Sequence, residues 1–194
     1  MNQSLLGVPN PVEDLVACLK SAAMGEDRWR PARYDKGRQL IMPGERAKDV
    51  LVLDEGLVKL SYHTLDGAEW IKSFIADCGV FGAVDNDLAP AASTFLATCL
   101  EPCTVVALPL AWVSNRLAND PALQQRYGRF LVWLQMRKQA REESLLCQSA
   151  ADRYSAFAQM MPDLITRLSQ ADIARYIGVT PIAFSRIKRR LAAS

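Results

Sequence analysis

The side chains best suited to chemistry lie close together near the end of the chain. Between Leu168 and Leu191 fall the hydroxyls of Ser169, Thr180 and Ser185, the amide of Gln170, and the cations Arg186, Lys188, Arg189 and Arg190. Their chemistry is recognition, not bond making. Hydroxyls, amides and backbone N–H groups at helix starts hold phosphate oxygens, and a guanidinium donates as a fork to guanine O6 and N7. From Leu164 onward, Arg167, Arg175, Arg186, Lys188, Arg189 and Arg190 stand against Asp172 alone, giving this segment +5 in a chain of net charge +2. The remainder is therefore −3, and the asymmetry points to a localised basic surface for a polyanion.

Bond-making chemistry finds no comparable group. His63 is the only histidine; its polar neighbours suit a strand surface, and no Cys/His/Asp set surrounds it, so neither a metal nor a haem site, nor any cofactor, is expected. Five cysteines (Cys18, Cys78, Cys99, Cys103, Cys147) are an odd number at wide spacings, unlike a disulfide framework, and read as small buried apolar residues. Cys99 and Cys103, flanking the turn-like Glu101-Pro102, are the pair close enough for a redox role. No Ser/His/Asp or Cys/His arrangement is present, which argues against an enzyme.

The basic stretch needs two short helices to present it. Ser169 is a natural N-cap and Asp172 completes a capping box; Ile173, Tyr176 and Ile177 recur at helical spacing, and Gly178 stands where a positive φ ends the helix. Thr180-Pro181 caps and opens a second helix. Its apolar Ile182, Ala183 and Ile187 are expected to face the first helix, with Phe184 and Leu191 completing a small core. This is a helix-turn-helix, whose second helix enters the major groove.

Upstream, 194 residues of which 50% are hydrophobic and 23% charged allow one large domain or two modest ones. The N-terminus carries no Lys or Arg before Lys20 and no long apolar run, so a cytoplasmic location is expected. Val12, Leu15, Val16 and Leu19 mark an amphipathic helix over 11–23. Six of ten glycines fall between Gly37 and Gly82, punctuation that suits short antiparallel strands at 39–42, 50–54, 57–62, 69–75, 94–98 and 104–108, folded as a sandwich or roll. Residues 109–117 return to helical spacing. Asp120-Pro121 then opens a helix running to about Cys147, in which Phe130-Leu131-Val132-Trp133-Leu134 is apolar on every side and needs two burial partners. One face is assigned to the β domain and the other to the same helix of a second subunit, with Tyr127, Phe130, Leu131 and Leu134 at the dimer interface. A helix over 148–160 follows, then a break at Met161-Pro162-Asp163. Arg153, just after a hinge at Cys147–Ala150, is expected to pair with an acidic neighbour.

Taken together, Gly37, Pro43-Gly44, Asp54-Glu55-Gly56, Phe81-Gly82, the long helix, Ala150-Ala151-Asp152-Arg153-Tyr154, Pro162-Asp163-Leu164 and SQADIARYIGVTPIAFSRIKRRL resemble the cyclic-AMP receptor protein/FNR (Crp/Fnr) family of bacterial transcription regulators. The resemblance implies an α+β fold: an N-terminal β-roll of the cyclic-nucleotide-binding type (a double-stranded jelly roll) with flanking short helices over 1–118, a dimerisation helix over 119–147, and a winged helix-turn-helix over 148–194. It implies double-stranded DNA on an inverted-repeat operator and a second copy of the chain as partners, with RNA polymerase a further one.

Two departures shape the expectation. Cyclic-nucleotide binders of this family hold the ribose with a Gly-Glu pair and the cyclic phosphate with an arginine before Ser or Thr. Here Gly82 is followed by Ala83, and Ser93-Thr94 stand where Arg-Ser would. The stretch from Gly82 to Thr94 carries Asp85 and Asp87 and no basic residue, so an effector pocket at Gly82, Ala83, Ser93 and Thr94 is expected to take a ligand other than cyclic AMP, or none. The reading helix departs too. Where relatives use an Arg-Glu pair and a following Arg, Pro181 and Ile182 offer apolar contact to thymine methyls, and only Arg186 remains to read guanine. Phosphate contacts and DNA shape then carry more of the recognition. The alternative is a β-roll sensor or interaction module whose DNA head is degenerate.

Overall fold

The computed structural model describes residues 10–46, 48–83 and 91–192. It opens with helix α1 (Pro11–Gly25), capped by Asn10, whose Oδ1 accepts from Val12 N at 3.1 Å. Among the described residues eight strands follow: β1 (Ala32–Tyr34), β2 (Gln39–Ile41), β3 (Asp49–Glu55), β4 (Leu57–His63), β5 (Glu69–Ala76), β6 (Gly79–Phe81), β7 (Leu96–Cys99) and β8 (Cys103–Pro109). They form two antiparallel four-stranded sheets, ordered β1-β8-β3-β6 and β2-β7-β4-β5. The six anticipated strands are all present, the fifth shifted to Leu96–Cys99. β1 and β6, three residues each, were not anticipated: so short a run shows no period, and unlike β2 neither is followed by a Pro-Gly turn.

Alternation along the strands builds three apolar layers. Val58 and Leu60 of β4, Phe81, Ala97, Cys99 and Val105 point between the sheets into a core with Leu53 and Phe95. On the outer face of the first sheet, Val52, Val106 and Leu108 pack with Leu15, Val16 and Leu19 of α1 and with Leu123. The second sheet is covered as well, by the C-terminal helices. Both sheets are therefore buried on two faces, which is why their strands read as near-continuous apolar runs. Between β3 and β4, Gly56 has φ +114°, and a Cβ there would sit 2.7 Å from Cys103 Sγ and 2.8 Å from Pro102 O, so only glycine fits.

The remaining described elements are helical: α2 (Leu110–Asn119), α3 (Pro121–Cys147), α4 (Ala150–Met160), α5 (Pro162–Arg167), α6 (Gln170–Tyr176) and α7 (Pro181–Ala192). No strand for a wing lies among the described residues after Pro109. The break expected after α4 is confined to Met161; Pro162 at once opens α5, since a first-turn proline lacks only an N–H that would be unpaired anyway. Asp120 caps α3 by accepting from Ala122 N and Leu123 N at 3.0 and 3.1 Å. The helix then runs 27 residues to Cys147, and extended Gln148 and Ser149 separate it from α4. Among the described residues no helix is long and apolar enough to cross a membrane.

Candidate nucleic-acid interface

The two helices at the candidate surface are held by the caps their sequence predicts. Ser169 Oγ accepts from Asp172 N at 3.0 Å and donates to Asp172 Oδ2 at 2.5 Å, starting α6. Gly178 takes φ +78°, Val179 N donates back to Ala174 O at 3.0 Å, and the chain turns. Thr180 Oγ1 accepts from Ala183 N at 3.2 Å and starts α7. Phe184 and Ile187 are buried, the former with Leu57, Ile71 and Phe74 of the roll, Phe157 of α4, and Leu168, Ile173, Ala174 and Ile177. Tyr154 meets Phe184 edge-on at 4.9 Å between ring centroids.

This packing turns α7 differently from the sequence expectation. Ile182 is 70% exposed and does not face α6, and Leu191 is exposed too. The 3.6-residue period places Phe184 and Ile187 on the inward stripe, with Ala183 half-buried beside them, and leaves Ile182 on the outward one. Pro181, Ile182, Ser185, Arg186, Arg189 and Arg190 share the exposed surface, and Lys188 is half-buried, its Nζ donating to Gln170 Oε1 at 3.0 Å. The hydroxyl of Ser169 is committed to its cap, whereas that of Thr180, among the described residues, only accepts in its own.

The segment's net charge overstates its free charge. Arg167 pairs with Asp77 at 2.7 Å and with Glu101, and Arg175 with Glu69 at 2.9 Å, while Asp172 accepts from Lys59 at 3.2 Å. None of the ion pairs among the described residues takes Arg186, Lys188 or Arg189. The cations left uncompensated thus lie on the outer part of α7. Among the described residues Arg153 finds no acid: its Nε donates to Ile177 O at 2.7 Å and its Nη1 to Gln148 O. Lys59, Glu69, Asp77 and Arg141 were given no role from the sequence, and Glu101 only a place in a turn. A lysine between apolar residues in Leu57-Val58-Lys59-Leu60 was the signal for a buried partner on that face.

Other candidate residues lie elsewhere. Ala83 is buried in the inter-sheet core. Ser93 is also buried: its Oγ donates to Phe95 O at 2.7 Å and accepts from Phe95 N at 3.1 Å. Gly82 is half-buried and Thr94 exposed, while Asp85 and Asp87 lie outside the described residues. Cys99 and Cys103 are both buried, and burial beside Cys103 pushes the Cys99 thiol up to about 12, which makes it a poor nucleophile. On α3, Tyr127 and Phe130 pack partly against the first sheet's outer core, and Leu134 is half-buried. Leu131 (42%), Val132 (63%) and Met136 (66%) are the apolar side chains left exposed along the helix middle.

No family model matches the sequence. Two curated proteins do, over most of the chain. The global nitrogen regulator of Synechococcus elongatus is 24% identical over 185 residues, covering 89% of this chain and 83% of that protein. The fumarate and nitrate reduction regulatory protein of Vibrio cholerae is 24% identical over 184 residues, covering 87% and 70%. Along most of its length the chain resembles regulators of the Crp/Fnr type. Solved structures agree on the Crp/Fnr fold. FixK2 from Bradyrhizobium japonicum superposes with a TM-score of 0.75 at 19% identity, covering 85% of each chain. The c-di-GMP responsive regulator CLP of Xanthomonas campestris gives 0.73 at 15% identity, covering 94% of this chain and 91% of that one.

Proposed function

We propose that this chain is a DNA-binding transcription regulator of the Crp/Fnr type, not an enzyme, working as a homodimer on an approximately inverted-repeat operator. The carrying observation is α7: a capped helix whose exposed surface gathers Thr180, Ile182, Ser185, Arg186 and Arg189 while its inner stripe is locked into a core. Arg186 reads guanine, Pro181 and Ile182 meet thymine methyls, and Ser169, Gln170, Thr180, Ser185, Lys188, Arg189 and Arg190 serve the backbone or its immediate surroundings. The two reading helices of a dimer would lie about one turn of B-DNA apart. In this reading residues 1–118 form the sensor-like roll, 119–147 the dimerisation helix and 148–194 the reading head, with RNA polymerase a further partner.

Cyclic AMP is not the effector in this reading. A cyclic phosphate needs a cation, and at the expected place Ser93 spends its hydroxyl on Phe95 while Ala83 fills core volume. The regulator answers to another small molecule or to none. The test is recovery and sequencing of genomic fragments bound by the purified protein near physiological salt with nothing added. A two-fold-symmetric motif is expected. A protein with no salt-dependent DNA binding in this assay or with cell extract added would be an interaction module instead.

A further inference from the structure

The first helix of the helix-turn-helix, α6, is gripped at both ends by the rest of the chain. Near its start, Lys59 Nζ lies 2.8 Å from Glu69 Oε1 and 3.2 Å from Asp172 Oδ1, and Glu69 Oε2 takes Arg175 Nη1 at 2.9 Å. Asp172 and Arg175 are one turn apart on α6, so four charges alternate in sign between this helix and the β4–β5 hairpin. The Lys59, Glu69 and Asp172 side chains are all largely withdrawn from water. At the other end, Arg141 of α3 donates through Nη2 to Tyr176 O at 2.7 Å and to Ile71 O of β5 at 3.0 Å, and its guanidinium lies 4.1 Å from the Tyr176 ring centroid. One side chain therefore joins the long helix, the roll and the last turn of α6, where unpaired carbonyls carry partial negative charge.

These contacts differ in kind from the apolar layer around them. Ile71 and Phe74 against Phe157, Tyr176 and Ile177 resist separation, but apolar contact is non-directional and tolerates sliding or rotation. A buried charge does not: displaced from its partner it is left uncompensated, and a planar guanidinium bonds in fixed directions. We propose that Lys59, Glu69 and Arg141 are positioning residues for DNA recognition. They set the angle of α6, and with it α7, against α3, so that the spacing between the two reading helices of a dimer is built into the roll of each subunit. This rests on the DNA-binding dimer proposed above.

The test is selection from a random duplex library by the full chain and by Glu69→Gln, Arg141→Lys, Lys59→Met and Lys59→Arg, scoring half-site sequence and spacer length separately. The original protein should recover its half-sites at one spacer. Glu69→Gln, which keeps the shape of the side chain, Arg141→Lys and Lys59→Met should recover the same half-site over several spacers, with the best site bound about tenfold more weakly. Lys59→Arg, keeping the charge, should hold the single spacer. An unchanged single spacer in Glu69→Gln, Arg141→Lys and Lys59→Met overturns the inference, as does loss of half-site preference together with loss of helical circular dichroism in all three. Recovery of no site by the original protein would instead overturn the DNA-binding reading itself.

Discussion

Arg167 Nη1 lies 2.7 Å from Asp77 Oδ2, tying α5, the short helix before α6, to the turn after β5. The same carboxylate accepts from Gly56 N at 2.6 Å, so it also braces the β3–β4 turn. Burial works to raise the Asp77 pKa, but the bonds from Arg167 and Gly56 outweigh it and hold the carboxyl below its ordinary value. Glu69 is likewise lowered, burial again opposed by Lys59. A carboxylate whose folded pKa is depressed stabilises the fold fully above its unfolded pKa, and that contribution is lost as pH falls through the folded value. The urea midpoint should therefore be insensitive to these groups from pH 7 to about 5 and should decline below about pH 4. Asp77→Asn should make the acid decline shallower; an identical slope would remove Asp77 from the account.

Arg186→Ala should cost discrimination more than total affinity. A guanidinium forked onto guanine contributes about 1–3 kcal/mol of preference, while phosphate contacts from neighbouring cations persist on any sequence. Electrophoretic titration of operator and scrambled duplexes should show the gap between them narrowing about tenfold or more. An unchanged ratio would mean that Arg186 does not read a base.

Gly178→Ala should destabilise the fold by about 1–2 kcal/mol, since a side chain at φ +78° is strained. The new Cβ would also meet Leu145 Cδ2 at 3.1 Å, a contact that Leu145, being partly exposed, can relieve by moving. The urea midpoint checks the size, and a neutral result would mean that the turn relaxes.

The faces of α3 should separate by assay. Val132→Lys, on the exposed side, should weaken self-association about tenfold or more in sedimentation equilibrium while leaving the helical signal intact, because a lysine in an apolar seam must be desolvated. Tyr127→Ala, facing the first sheet, should instead lower thermal stability by leaving a void beside Leu123 and its neighbours. Association unaffected by Val132→Lys would move the dimer contact off this face.

What was legible in the sequence was mostly local. Ser169, Gly178, Thr180 and Pro181 act on backbone within four residues, and each capping or turning role they suggested is present. The facing of Ile182 was misread because its apolar character was taken as burial, although the period set by Phe184 and Ile187 already leaves it on the opposite side of the helix. Arg167 looked like free charge because its partners Glu101 and Asp77 stand 66 and 90 residues away. Charge counted along a chain does not show which pairs the fold brings together.

The second sheet, with Val58 and Leu60 inside and Leu57, Ile71 and Phe74 outside, makes the roll an unfinished object by itself. Severing the chain at Gln148 would put that outer face into water as a contiguous greasy patch of the sort that clumps. The roll and the C-terminal helices are thus not tethered modules; they share one interior, and heating should melt them together in a single transition.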